Sequence, residues 1–318
     1  MNETGELVLP VAHPCRCPAQ VTRVPAIARL MLDAPAVKPA GAARLRRKVA
    51  KALFVLAYRV AGLSAEGRLT LALPSGDVAF RADFANTAYL DYARRTPYEP
   101  ELTALIDAAA PGARVVYDIG ANWGYFVAAL ATNPDFAGHV HAFEIAPATA
   151  NDLRRMIAEC GLAERATCHA IGLSDAQGSI RIAVGLHSYL TRVLGAHERG
   201  GREVPVARLD DLDLPDPDIV KIDVEGHEAA VLRGGLERLH RALPLVILES
   251  WYRPEMLEPL RLLAGLGYAF YRPRLAGSTL SLTPISEEGR ARLKETVDIV
   301  ALHPSHRRLP EGGVGRTP

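Results

Sequence analysis

From residue 114 to residue 302 the chain alternates short apolar runs with stretches of helical periodicity, and this rhythm restricts the fold more than any other feature. Apolar runs at 114–119, 139–144, 166–172, 217–223, 244–249, 267–272 and 296–302 read as strands, and 123–132, 147–160, 227–241 and 254–265 read as helices. Strands of this length separated by helices of this length predict an α/β fold with a doubly wound, mostly parallel seven-stranded sheet covered on both faces. A chain of 318 residues, 49% hydrophobic, is long enough for one such domain with smaller appendages.

Around this unit the organisation is simpler. Residues 1–63 read as an arm rich in Pro and Ala followed by a basic amphipathic helix at 44–63. Residues 64–304 form the main domain. It begins with a leading hairpin and helix over 64–112, in which "PSGD" supplies the turn and Pro111-Gly112 stops the helix. An inserted segment at 173–209 breaks the rhythm and is expected to shape an acceptor site at the rim of the sheet. Residues 305–318 are expected to be a frayed tail.

Charge and cysteine content remove several classes of function. A formal net charge of +1 gives no basic face for nucleic acid. Four cysteines do not make a disulfide framework, and Cys160 and Cys168 read as buried thiols. His13, Cys15 and Cys17 lack the second half that a zinc site needs. The helix at 44–63 is interrupted by Lys51 and Arg59 and is too short to span a bilayer. A helix packed on the main domain is the expectation there, with contact to a membrane surface as the alternative. The chain reads as a soluble, cytoplasmic protein, and nothing in it specifies an oligomeric state.

The first apolar run ends abruptly in "VVYDIGANWGYF", residues 115–126. A strand that ends in Asp118, Gly120, Asn122 and Gly124 and then feeds a helix presents backbone N–H groups and a helix N-terminus where doubly wound sheets bind ligands. A tight turn alone accounts for one glycine, not for this set. The spacing fails the G-x-G-x-x-G pattern of dinucleotide folds. Glu144, ending the next strand about 20 residues on, is placed to accept hydrogen bonds from ribose hydroxyls, which favours an adenosine-containing ligand.

The fourth run, "DIVKIDVEGHE", is charged where a central parallel strand should be apolar. Alternation puts Lys221, Asp223 and Glu225 on one side. A structural Lys221–Asp223 pair is one reading, and Glu225 or Glu228 at a helix N-terminus is another. In the functional reading Asp223, Glu225 and His227 are candidate proton acceptors and Lys221 orients them. Asp223 or Glu225 together with Glu249 can also present hard oxygen ligands to Mg²⁺.

Taken in order, "VVYDIGANWGYF", "HVHAFEIAPATANDLRRMI", "HAIGLSDAQGSIRI", "PDIVKIDVEGHEAAVLRGG" and "LVILES" closely resemble the FkbM family of S-adenosylmethionine-dependent methyltransferases over about residues 66–272. The resemblance implies a class I methyltransferase, Rossmann-like fold. It implies that Asp118, Gly120, Asn122 and Gly124 surround the methionine part of the cofactor and that Glu144 holds the ribose. Ser174 and Asp175 would then lie nearest the adenine. The implied reaction is O-methylation of a hydroxyl on a sugar, glycan or polyketide-type natural product. The alternatives are N-methylation of a small molecule or peptide, or a non-catalytic module that binds an adenosine ligand. Trp123 departs from the smaller aliphatic residue usual in the family. His187, Ser188 and Tyr189 in the insertion, and Trp251, Tyr252 and Arg253 after the fifth run, are further candidates to touch an acceptor.

Overall fold

The computed structural model describes residues 6–11, 20–22, 49, 52–54, 56–57, 65–73, 75–84, 86, 88–89, 92, 98–184, 191–195, 197–250, 257–286 and 297–306. Two pieces of the stretch read as an arm are strands, β1 (Leu7–Pro10) and β2 (Gln20–Thr22). The hairpin is present as β3 (Glu66–Leu73) and β4 (Gly76–Asp83). Leu69, Leu71 and Leu73 point from β3 into the core at the period of two that a half-covered ribbon requires. Helix α1 (Pro100–Ala109) opens on Pro100, whose fixed φ and missing N–H suit a first turn, and ends in the 3-10 turn Ala110–Gly112.

Two βα units and a further strand follow: β5 (Val115–Ile119) with α2 (Tyr125–Ala131), β6 (His139–Phe143) with α3 (Pro147–Glu159), and then β7 (Ala166–His169). The insertion folds as β8 (Gly172–Leu173), β9 (Gly178–Ala183), β10 (Arg192–Val193) and β11 (Arg202–Ala207), a small sheet of its own in the order β10-β9-β11-β8. The chain then returns through β12 (Ile219–Ile222), α4 (Glu228–Arg233), α5 (Leu236–Ala242), β13 (Leu245–Ser250) and α6 (Leu257–Gly265). It finishes in β14 (Ala269–Ala276), β15 (Thr279–Pro284) and β16 (Val297–Leu302).

The main sheet has the order β1-β15-β14-β16-β13-β12-β5-β6-β7. β13, β12, β5, β6 and β7 are parallel, whereas β16 runs antiparallel between β13 and β14. The seven expected strands are all in it, and the fold is doubly wound and Rossmann-like. The count is corrected to nine, because β15 turns back along β14 and β1 pairs with β15. Pro10 ends β1 at the outer edge of the sheet, where a missing N–H is tolerated.

Two apolar layers sandwich the sheet. One face carries Val116, Ile219, Leu245, Ile247 and Val300 and is covered by the hairpin sheet β2-β3-β4 and by α1, α2 and α3. The other carries Tyr117, Ile119, Val220, Ile222, Val246 and Leu248 under α4, α5 and α6. The helix expected over 227–241 is two helices. The chain breaks at Gly234-Gly235, where Gly234 packs so closely that a Cβ there would lie 1.9 Å from the carbonyl oxygen of Ser174. Phe54 and Ala57, in the segment read as a basic helix, are buried in the first layer. Among the described residues no helix is long and apolar enough to cross a membrane. After β5 the chain runs outward to β7, and it comes back to β12 on the opposite side of β5. The carboxyl ends of β5 and β12 therefore flank the crevice in which such sheets bind ligands.

Candidate active site

The loop after β5 is built by close backbone approach. Gly120 adopts φ +83, and a Cβ there would sit 1.8 Å from the carbonyl oxygen of Asp223, so the loops after β5 and β12 touch only because this side chain is missing. The N–H groups of Gly120 and Ala121 both donate to the carbonyl of Phe143, at 2.9 and 3.0 Å, which fixes the loop to the end of β6. Gly124 adopts φ +99 at the start of α2, where a Cβ would meet Met156 and Leu153. Trp123 is buried with its ring 5.1 Å from that of Tyr89 and 5.2 Å from that of Tyr92, fastening the loop to the segment that follows the hairpin.

Glu144 lies directly beyond β6 and is buried. The Asn122 N–H donates to its Oε2 at 2.9 Å and the Ala146 N–H to its Oε1 at 2.8 Å, so both oxygens are held in place with lone pairs to spare. Burial pushes its pKa up to about 7, against the pull of those two N–H groups. Gly120, Asn122, Glu144, Asp223, Glu225 and His227 line one cleft.

Lys221 stands in register with Asp118 on the neighbouring strand, and both are almost fully buried. The Lys221 Nζ is 3.0 Å from Asp223 Oδ2 and 3.9 Å from Asp118 Oδ1, and it sits 5.0 Å from the centre of the Phe126 ring. Burial opposes the lysine's charge. The carboxylates of Asp223, Asp118 and Glu99 outweigh it and hold the pKa above its usual value. Burial raises Asp118 to about 6 despite the lysine. One lysine thus faces several acids, and the expected Lys221–Asp223 pair is part of a larger cluster.

That cluster borders a second cleft, lined by Glu99, Lys221, Asp223, Glu225 and Glu249 and by Tyr98, Tyr125 and Phe126. Gly120, Asn122, Asp223 and Glu225 line both clefts and form the wall between them. Three non-glycine residues of this second cleft hold left-handed backbone, Glu99 at φ 40, Asn122 at φ 52 and Glu225 at φ 54. Strain of this kind persists only where surrounding structure enforces it, and it gathers at functional sites. For Glu225 the enforcement comes from Glu228, whose Oε1 accepts the N–H groups of Val224 and Gly226. Burial raises Glu225 to about 8, helped by the charges of Asp223 and Glu228 and opposed by Lys221. Burial and then Asp223 likewise raise Glu249 well above the carboxylate range.

Several expected positions fall elsewhere. The Ser174 hydroxyl is bonded to His227 Nε2 at 3.0 Å, and Asp175 is taken by the Arg233 guanidinium at 2.9 and 3.0 Å, so neither lines the cleft beside Glu144. His227 lines the first cleft but not the second, which removes it from the acid cluster. β12 ends at Ile222 and the Asp223 N–H still donates to the Ile119 carbonyl at 2.9 Å, so alternation carries from Lys221 to Asp223 but not to Glu225, which reaches the wall through its left-handed turn. His13, Cys15, Cys17, His187, Ser188, Tyr189, Trp251, Tyr252 and Arg253 lie outside the described residues. Sequence reasoning missed Glu99, which precedes α1, and Asp298, which pairs in register with Glu249 and is raised by burial to about 6. "YEPE" before an apolar helix was the available signal for Glu99.

Residues 118–270 match a family model described as the methyltransferase FkbM domain. No curated protein matches the chain. Among solved structures, a methyltransferase FkbM from Methylobacillus flagellatus KT is similar at 20% identity over 54% of this chain, with a TM-score of 0.40, and this chain covers 43% of its length. An O-methyltransferase from Bacillus cereus in complex with SAH is 14% identical over 59% of this chain and 82% of its own, with a TM-score of 0.38. A SAM-dependent O-methyltransferase from Thermotoga maritima is 15% identical over 75% of this chain and 78% of its own, with a TM-score of 0.39.

Proposed function

We propose that this chain, whose residues 118–270 match the methyltransferase FkbM domain, is an S-adenosylmethionine-dependent methyltransferase acting on a hydroxyl of a sugar, glycan or polyketide-type acceptor. The observation that carries this reading is the shared wall. One cleft has the glycine loop and Glu144, the other has aromatic rings and acids, and Gly120, Asn122, Asp223 and Glu225 belong to both. A donor in the first and an acceptor in the second meet at that wall, and such alignment supplies much of the rate in a displacement.

The residues present fit the cofactor. The loop leaves no room for a side chain at Gly120, and Glu144 has free lone pairs at the cleft. When bound, the cofactor supplies a methyl group on a cationic sulfonium, already activated. The chain's own work is then to hold the ribose with Glu144, to set negative charge near the sulfonium, and to receive one proton. Glu225 is the proton acceptor in this reading, because its raised pKa makes it a stronger base than an ordinary carboxylate. Asp223, held by Lys221, lines both clefts. Replacing Glu144 with alanine is expected to weaken S-adenosylhomocysteine binding about 100-fold, the scale of two lost hydrogen bonds to a charged group. Titration calorimetry checks this, and unchanged affinity would refute the ribose role.

One observation favours a metal-assisted version. Asp223, Glu225 and Glu249 each offer an oxygen such that all lie within 4.8 Å of one another, a donor set suited to Mg²⁺. The metal would supply a lowered hydroxyl pKa. Mass spectrometry of products from a panel of hydroxylated and amine acceptors, with and without exhaustive EDTA, tests both statements. Methylated hydroxyls are the expected products, and products on amines alone would move the assignment to N-methylation. Full activity after EDTA would remove the metal.

A further inference from the structure

Five large apolar side chains among the described residues are exposed, and three of them, Val49, Leu53 and Leu56, lie in the basic segment at 44–63. Residues 49, 52–54 and 56–57 are helical, and steps of four and then three residues put Val49, Leu53 and Leu56 on one stripe. They are 48%, 45% and 56% exposed. The residues that follow the two leucines, Phe54 and Ala57, are buried in the first apolar layer. A helix seated on its own domain by one face is expected to be polar on its outer face. This one has leucines there. In the sequence the segment also carries Arg44, Arg46, Arg47, Lys48, Lys51 and Arg59, and no acid stands between Asp33 and Glu66. The whole chain has a net charge of only +1, so the rest of it is net negative and positive charge is concentrated here.

We propose that this segment docks the protein on an anionic lipid surface, with Val49, Leu53 and Leu56 entering the boundary between headgroups and acyl chains and the basic residues meeting lipid phosphates. An apolar stripe in a segment rich in Lys and Arg is the pattern of a helix that lies in the plane of the bilayer interface. Such a surface is the one partner that answers both features. Nucleic acid would neutralise the cations but has no apolar phase to receive the leucines. A second copy docked through the same patch would cover the leucines but bring two basic segments together, like charge against like. Phe54 and Ala57 hold the segment on the domain, so the stripe is presented before any lipid is met and docking orders less chain. The attachment is peripheral, because no described helix is long and apolar enough to cross a membrane. It does not depend on what the two clefts bind.

Flotation of the full chain on phosphatidylcholine vesicles, with and without about 30% phosphatidylglycerol, tests the proposal. The proteins compared are wild type, Leu53→Ser/Leu56→Ser, and Arg46→Gln/Arg47→Gln/Lys48→Gln/Lys51→Gln. Wild type is expected to float with the anionic vesicles and to stay in solution with phosphatidylcholine alone. The serine variant should bind the anionic vesicles at least about tenfold more weakly, and the glutamine variant at least about 100-fold more weakly. Raising NaCl from about 0.05 M to about 0.5 M should release wild type, because salt screens the attraction to the headgroups. The serine variant should melt with wild type, since both leucines are exposed. Wild type that stays in solution with the anionic vesicles would overturn the proposal, and so would equal flotation of wild type and the serine variant. A lowered melting temperature in the serine variant would mean that the chain itself covers the stripe, and would also overturn it. Light scattering tests the other occupant: a wild-type dimer that the serine variant dissociates would assign the stripe to a second copy instead.

Discussion

Gly120→Ala is expected to lower the melting temperature by roughly 5–15 °C and to abolish measurable binding of S-adenosylhomocysteine. The added methyl would lie 1.8 Å from the carbonyl oxygen of Asp223 and 2.8 Å from its carbonyl carbon, and these are backbone atoms that no rotamer change can move aside. Forced overpacking costs about 1–3 kcal/mol, and left-handed backbone at a residue with a Cβ adds roughly 1–2 kcal/mol. The strain would fall on the contact between the loops after β5 and β12, the wall shared by the two clefts. Gly161→Ala is the matched control. It also has positive φ, +68, but no atom lies within 4 Å of its added methyl, so only the backbone cost applies. Thermal melts and titrations of the two variants side by side check the result. Equal melting temperatures would mean that the approach at Gly120 is not needed.

Glu225→Gln is expected to lower kcat by about 10²–10⁴-fold while leaving cofactor affinity within about threefold. Glutamine keeps the size of the side chain and can no longer take a proton. The pH dependence gives the sharper readout. Burial, followed by the charges of Asp223 and Glu228, raises Glu225 to about 8, with Lys221 opposing. A base works only when deprotonated, so the wild-type rate should climb as pH rises and level off above about 8. The residual rate of Glu225→Gln should lack that rise. A variant that kept both full rate and the same profile would remove Glu225 from the mechanism.

The sheet was legible because its strands are buried on both faces and so read as apolar runs. Each of the seven runs is a strand of the main sheet or, for 166–172, a strand with a short continuation in the inserted one. β1 was not legible, because an edge strand needs no apolar signature and this one lies in a Pro-rich stretch. At the site, Lys221 and Asp223 could be placed by strand alternation, and Glu144 by its distance from the loop. The partners of Ser174 and Asp175, His227 and Arg233, were not legible. Nothing local announces that Gly234 packs on the Ser174 carbonyl or that Arg233 takes Asp175. Glu99 and Glu225 depend on left-handed backbone at non-glycine residues, which neither propensity nor periodicity reveals.

The most direct test of the central claim is parallel titration calorimetry of the purified chain with S-adenosylmethionine, S-adenosylhomocysteine and NAD. Saturable binding of the first two at one site, with no heat from NAD, is the predicted result. Binding of NAD alone would contradict the reading of the glycine loop, of Glu144 and of the shared wall together.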